Sequence, residues 1–351
     1  MASITEFSTF VQALNSIQTS GPIFNYIKTL SDGVHMSSGT LMYLNKHAKS
    51  PFSGGDNFSW RIVNDEATNG GSYFGGTTLD TSVDEFLGTA NIVRAFYSFP
   101  CSYYKTDLLQ NQGKDMLVDY VGKRMNRTIK GLSTRLALDL FGNGTTDANT
   151  GVAGGTVSVI RPLIGMQLPL ETTPTSSSST YAAIARTSTN YYWHNQAKDV
   201  TSIAGVTLSA MQDMFDLTSA LDSANGGVDL IIMPIPAYKQ VWFEAKALQA
   251  ASPDAKAQEL GVPNSFTFNG ATVIPEKFLS ARTAGGYLTT GLNRIYFINT
   301  SDVEMKIDPN DNAKVGEVRI PTNQHSYTQH ITWSGQIIFK TPPLHGVMYY
   351  A

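Results

Sequence analysis

The spacing that most invites a catalytic reading is Ser102-Tyr103-Tyr104-Lys105, a serine with a lysine three positions on. Where enzymes use that spacing, the lysine helps to remove the serine proton and leaves a nucleophile for acyl transfer. The companion strings Ser-Asp-Asn and Lys-Thr-Gly are missing; the nearest are Ser301-Asp302-Val303 and Lys340-Thr341-Pro342. Short patterns recur by chance, so Ser102 and Lys105 stand only as a contrast hypothesis, a serine hydrolase. Six histidines add few combinations. His325 and His330 lie five apart in a strand-like segment, which turns them to opposite faces and argues against a shared zinc. His194 follows Trp193 in an aromatic turn and reads as a structural hydrogen-bonding group. His47 and His345 have no carboxylate near them in the sequence.

Other chemistries find still less support. Gly113-Lys114 and Gly122-Lys123 lack the earlier glycine of a phosphate loop. Asp308-Pro309-Asn310-Asp311-Asn312 begins like a calcium loop, but Ala313 stands where the sharp turn needs glycine and Arg319 where the bidentate acid belongs. A plain acidic turn is the expectation. The one cysteine, Cys101, can form neither an intrachain disulfide nor a thiolate zinc site, and it follows Phe99-Pro100 in an apolar setting suited to burial. No metal and no cofactor is expected, and the compartment is expected to be reducing.

The elements that carry these residues belong to a chain of 351 residues, enough for about two domains. Only 15% of its residues are charged, against about 25% in an average soluble domain. Much of its surface is therefore expected to be covered by something other than water. A net charge of −3 argues against a dedicated nucleic-acid clamp, which needs clustered Lys and Arg; a wall facing DNA is compatible with it. No apolar run reaches the length of a membrane helix, and the opening residues lack the pattern of a signal peptide. A soluble cytoplasmic product is expected, with no membrane partner.

Residues 1–50 read as an arm with one or two short helices. Trp60-Arg61-Ile62-Val63 and the run Ile92 to Tyr97 read as strands flanking Gly70, Gly71, Gly75 and Gly76, a long two-stranded ribbon. Such a ribbon is marginal alone and needs something to lie on. From Lys114 to Phe141, Leu117, Val121, Met125, Ile129, Leu132, Leu136 and Leu140 recur at spacings of three and four, predicting a helix about 40 Å long that stops at Gly142-Asn143-Gly144. Its other face carries six basic residues, Lys114, Lys123, Arg124, Arg127, Lys130 and Arg135, against Asp115, Asp119 and Asp139. A solvated face is the first reading and DNA contact the second.

After an irregular stretch with the aromatic cluster Tyr191, Tyr192 and Trp193, helix and strand alternate. Thr207 to Leu221 and Ala237 to Ala250 predict helices, Asp229 to Met233 a buried strand, and Phe266 to Ile274 a hairpin turning at Asn269-Gly270. Strands at Ile295–Ile298, Val303–Ile307, Val315–Ile320, Gln329–Phe339 and Gly346–Tyr350 predict an antiparallel sheet.

This order of parts resembles the tailed-bacteriophage major capsid protein of Hong Kong ninety-seven type. The likeness runs from about Phe52 to the C-terminus. It is carried by Tyr73-Phe74-Gly75-Gly76-Thr77-Thr78-Leu79 with Thr89-Ala90 and Ile92 to Tyr97, which look like the family's E-loop tip and return strand. Asn111 to Asp115 and Leu140 to Thr145 look like the flanks of its spine helix. Tyr181 to Ser188 and Tyr192-Trp193-His194-Asn195-Gln196 are similar to a family segment in which Ala182 and Ala183 are glycines, Ala185 is aspartate and His194 is arginine. Phe268 to Ile274, Tyr296 to Asn299 and Leu344 to Met348 continue the series in collinear order.

The resemblance implies an α+β capsid fold: N-terminal arm 1–51, E-loop 52–104, P-domain with spine helix 105–200, α/β A-domain 201–295, P-domain sheet 296–341 and a C-terminal return to the A-domain at 342–351. It implies self-assembly into pentamers and hexamers of an icosahedral head. The implied partners are scaffolding and portal proteins, with a cement or decoration protein as a further one, and the shell encloses double-stranded DNA without reading its sequence. The implied location is the virion, after assembly in the host bacterial cytoplasm. Intersubunit contacts are expected at Trp60, Arg61, Tyr73, Phe74 and Arg94 in the ribbon and at Tyr103, Lys105, Arg124 and Arg127 around the long helix. No lysine lies between Pro51 and Tyr104, so the lysine–asparagine cross-link of some family members is not expected. An encapsulin-like nanocompartment shell holding a cargo enzyme is the alternative.

Overall fold

Leucines and other apolar residues spaced three and four apart build the longest element, and alternating strands build what it packs on. The computed structural model describes residues 38–52, 54–63, 75, 87–106, 114–144, 161–175, 179–220, 227–249, 266–279, 293–320 and 325–350. In chain order these hold α1 (Gly39–His47), β1 (Lys49–Pro51), β2 (Asn57–Val63), β3 (Leu87–Val93), β4 (Ala95–Tyr104), α2 (Lys114–Leu140), the short strands β5 (Thr180–Tyr181) and β6 (Ile184–Ala185), and β7 (Gln196–Asp199). There follow α3 (Leu208–Ser219), β8 (Leu230–Pro234), α4 (Ile235–Gln249), β9 (Phe266–Phe268), β10 (Ala271–Glu276), β11 (Asn293–Ile298), β12 (Val303–Val315), β13 (Ser326–Phe339) and β14 (Gly346–Tyr350). Most of the expected arm, the glycine-rich ribbon tip and residues 145–160 lie outside the described residues.

Two sheets organise the chain. The first runs β1-β12-β13-β4 and the second β7-β14-β11-β8-β10-β9. Helix α2 lies along β4, its Val121, Met125, Ile129, Leu132, Leu136 and Leu140 all buried. The helix stops where a strap crosses its end: Met166 N–H donates to the Leu140 carbonyl and Gln167 N–H to that of Gly142. Gly165 permits this approach, since a Cβ there would fall 2.2 Å from the Asp139 carbonyl oxygen. Strand β8 is buried on both sides: Leu230 and Ile232 face the core shared with α2 and the first sheet, and Ile231 and Met233 face the core under α3 and α4. The predicted hairpin is present, with Asn269 and Gly270 at φ 48° and 86° joining β9 to β10.

Two expectations need correction. The run Ile92 to Tyr97 is two strands in two different sheets, because the chain leaves the ribbon at Arg94 and β4 then pairs with β13. The closing strands likewise divide: β12 and β13 pair in the first sheet, whereas β11 and β14 pair in the second. Burial explains the division. β11 and β14 are apolar on both faces and fit a sheet covered on both sides, while β12 alternates over its first half. The strand expected at Val315–Ile320 ends at Val315, with only Arg319 bridging to Thr328.

Candidate functional site

The ribbon of β2 and β3 is a two-stranded sheet of its own, separate from the two larger sheets. Its inward residues Phe58, Trp60, Ile62, Ala90 and Ile92 alternate with outward Ser59, Arg61, Val63, Thr89, Asn91 and Val93. The inward face is anchored: Trp60 Nε1 donates to the Lys340 carbonyl at 3.2 Å, its ring lies 6.5 Å from that of Trp193, and Ala90 and Ile92 are buried. A cleft of about 530 Å³ remains between ribbon and aromatic turn, lined in part by Arg61, Tyr192, Asp302 and Lys340. The outward face is uncovered. Val63 and Leu87, paired across the ribbon, are 62% and 49% exposed.

Arg94 pins the ribbon to the first sheet. Its N–H donates to the Asp56 carbonyl, and Nη2 reaches both Asp308 Oδ2 at 2.5 Å and Ser334 Oγ. Its guanidinium also lies 4.8 Å and 4.9 Å from the ring centres of Phe52 and Phe96. Asp308 is held below the usual carboxylate range, first by the Asn310 backbone N–H and further by Arg94. The acidic turn 308–312 is thus an irregularity within β12, where the pairing register shifts between Ile307 and Asn312.

The other expected contact residues fall in three environments. Arg61 and Arg127 are exposed, and Lys105 is half-buried with its N–H bonded to the His325 carbonyl. Arg124 Nη1 donates to the Ser102 carbonyl at 3.0 Å. Tyr103 is buried against α2 beside Cys101, and Arg94 is occupied as above, so neither presents its side chain outward. Tyr73 and Phe74 lie outside the described residues. On and beside the ribbon, the exposed apolar groups not expected as contacts include Leu87, Val93, Phe96 and Tyr104; period-two alternation counted outward from Trp60 would have found the ribbon's members.

Ser102 Oγ shares a hydrogen bond with Thr328 Oγ1 at 3.1 Å. Among the described residues no three His, Cys, Asp or Glu side chains cluster as a metal site would require, and no helix is long and apolar enough to cross a membrane. His194 Nε2 contacts the Thr187 carbonyl at 3.1 Å. His345 acquires through the fold the carboxylate its sequence neighbourhood lacks. Its Nδ1 accepts from the Asn299 N–H and its Nε2 faces Asp302 Oδ2 at 3.1 Å, tying the β11–β12 crossover between the sheets to the β13–β14 crossover.

Beneath the ribbon, Arg186 is fully buried. It donates to the carbonyls of Leu168, Pro169 and Trp193 and lies 3.6 Å from Glu171 Oε2. Burial lowers its pKa, and the Glu171 charge opposes that shift. Ahead of it Ala182 and Ala183 take φ 53° and 66°, left-handed values that make the β5–β6 turn. Tyr97 donates to Asp139 at 2.6 Å and accepts from the Leu163 N–H; burial and then the Asp139 charge raise its pKa well above the usual value.

No protein-family model matches the chain, and no curated protein matches its sequence. Solved structures do match. The cyanophage A-1(L) capsid asymmetric unit aligns with a TM-score of 0.60 at 13% identity, covering 87% of this chain and 91% of that one. This is the Hong Kong ninety-seven type capsid fold. The capsid of Myoviridae phage XM1 aligns at TM-score 0.54 with 11% identity, over 90% and 92% of the two chains. The capsid of the native GTA particle aligns at 0.52 with 11% identity, over 88% and 89%. At such identities the capsid fold is preserved by burial pattern and connectivity.

Proposed function

We propose that this chain is the major capsid protein of a tailed double-stranded DNA bacteriophage, a non-catalytic subunit that assembles into an icosahedral head. The observation that carries the reading is the likeness to capsid structures over 87–90% of this chain and 91–92% of theirs. The ribbon, covered on one face and bare on the other, supports it. In this reading the ribbon is the E-loop, α2 the spine helix of the P-domain, the first sheet its β-layer, and the second sheet with α3 and α4 the A-domain. The A-domain then also takes in β7, β11 and β14, which lie in its sheet. The N-terminal arm of this reading ends before β1, which lies in the first sheet.

A subunit that meets its neighbours through different patches forms heterologous contacts, which close into rings and then a shell. Arg61 and the outward apolar residues of the ribbon are the contact groups on one side; Lys105, Arg124 and Arg127 are those on the other. Trp60 and Arg94 act by fixing the angle at which the ribbon leaves the body. Scaffolding, portal and cement proteins are the partners such a shell uses, the enclosed DNA is not read by sequence, and assembly takes place in the host cytoplasm before the product resides in the virion.

The test is expression of the full chain, alone and with candidate scaffold, followed by negative-stain microscopy. Closed shells are expected. A chain that stays a monomer at high concentration in both conditions overturns the reading. Shells that co-purify with an enzyme and no nucleic acid would establish the nanocompartment alternative, and labelling of Ser102 by an acylating probe would establish the hydrolase.

A further inference from the structure

Arg294 and Tyr296 stand two apart on β11, so alternation turns both toward the core shared with α2, to which Tyr296 belongs. Arg294 is 8% exposed and Tyr296 is fully buried. Arg294 Nε and Nη1 and the Tyr296 hydroxyl are all buried, and among the described residues none of the three has a hydrogen-bond partner. The two groups are close neighbours. Burial raises the Tyr296 pKa, and the Arg294 charge acts against that shift.

A buried cation is costly unless it is paired. Two features of this face could have met it, and both are already committed. The pairing of β10 with β8, and of β8 with β11, brings Glu276 to the same side of the second sheet. Its carboxylate instead accepts from Ser38 Oγ, Thr40 Oγ1 and the Phe278 N–H. The carbonyl end of α2 reaches the face through Phe141, whose ring stacks on Tyr296 at 6.4 Å. There the Leu140 and Gly142 carbonyls accept from the N–H groups of Met166 and Gln167. The chain therefore sets a cation and a hydroxyl side by side without giving them an acceptor.

We infer that Arg294 and Tyr296 form an interior receptor for a small oxyanion of the phosphate class. The guanidinium offers two parallel N–H donors that match two oxygens of such an anion, and the phenol adds a third donor. An ordered water could satisfy the donors but would leave the charge uncompensated, which favours the anion. The receptor lies apart from the ribbon and does not depend on the shell reading. Its occupant would brace β11 against the end of α2.

Urea unfolding of the full chain over a series of inorganic phosphate concentrations tests this, with ionic strength held constant by sodium chloride. Phosphate also stabilises folded proteins generally by exclusion from their surface, so the decisive quantity is the difference between the unmodified chain and Arg294→Met. The unmodified midpoint is expected to rise with phosphate as a bound ligand requires, and the Arg294→Met midpoint to show only the general effect. Without phosphate, Arg294→Met is expected to be at least as stable as the unmodified chain, because it removes an unpaired buried charge. Tyr296→Phe should raise the half-saturating phosphate concentration about tenfold. Arg294→Lys, which keeps the charge and loses the fork, should also weaken the response, and these two variants carry the test if Arg294→Met does not fold. Broadening of the phosphate phosphorus resonance by the unmodified chain, lost in Arg294→Met, is the direct readout. Equal phosphate dependence in all forms overturns the inference and leaves an adventitious ion only. A clearly lower Arg294→Met midpoint in phosphate-free buffer also overturns it, since the cation would then already have its partner. Loss of assembled particles in Arg294→Met with no phosphate response overturns it in favour of a carboxylate from a neighbouring copy.

Discussion

Ala182 and Ala183 occupy backbone conformations in which a Cβ is disfavoured by about 1–2 kcal/mol. Ala183 is exposed, so Ala183→Gly removes that strain and loses no packing; the added freedom of the unfolded chain offsets part of the gain. The expected result is a gain of up to about 1 kcal/mol, read as a higher urea midpoint at unchanged slope. Ala182→Gly should gain less, because the Ala182 methyl is buried. A lower midpoint for Ala183→Gly would contradict the strained turn. Arg186 is the opposite case, a buried cation satisfied by three carbonyls. Arg186→Met would leave those acceptors and Glu171 without their donor and is expected to cost about 3–5 kcal/mol. Arg186→Lys should recover little, since an ammonium lacks the planar fork that reaches all three; full recovery in thermal unfolding would show that charge alone matters.

At the scale of elements, the ribbon and the first sheet meet through Arg94 and Asp308. The Asp308 pKa is lowered in the folded chain, so its contribution to stability is complete above the unfolded value of about 3.9 and fades as pH falls through the lower folded value. Asp308→Asn should therefore differ from the unmodified chain at about pH 5, and the difference should shrink as pH falls through the lowered folded value, measured as urea midpoints across the acid range. A constant difference would show that Asp308 stays out of the titration. Glu304 adds a parallel contribution on the same strand. Burial acts to raise it, but hydrogen bonds from Lys306 and Lys340 together bring it below the ordinary value.

For the whole molecule, low charge density and a half-covered ribbon are what the proposed capsid role expects of a subunit completed by its neighbours. Residues 51–104 contain no lysine, so shells of this chain are expected to dissolve in denaturing electrophoresis to one band of subunit mass. A ladder of covalent multiples would contradict that. Under the proposed function, a shell without cross-links would draw its strength from many weak contacts, individually sensitive to salt and collectively cooperative.

Periodicity determined what local physics decides. The spine of α2, with Val121 to Leu140 on one stripe, the Asn269-Gly270 hairpin, the α3 and α4 helices and the buried β8 were all legible, because burial of one face imposes a spacing on the residues that form it. Partnership between distant segments leaves no such spacing. Only the tertiary structure decided that Ile92 to Tyr97 is cut at Arg94, that β11 and β14 leave β12 and β13 for another sheet, that Arg186 is buried under three carbonyls, and that His345 meets Asp302. Each depends on which segments meet across tens or hundreds of residues, and the free energy that selects such meetings resides in the packed whole.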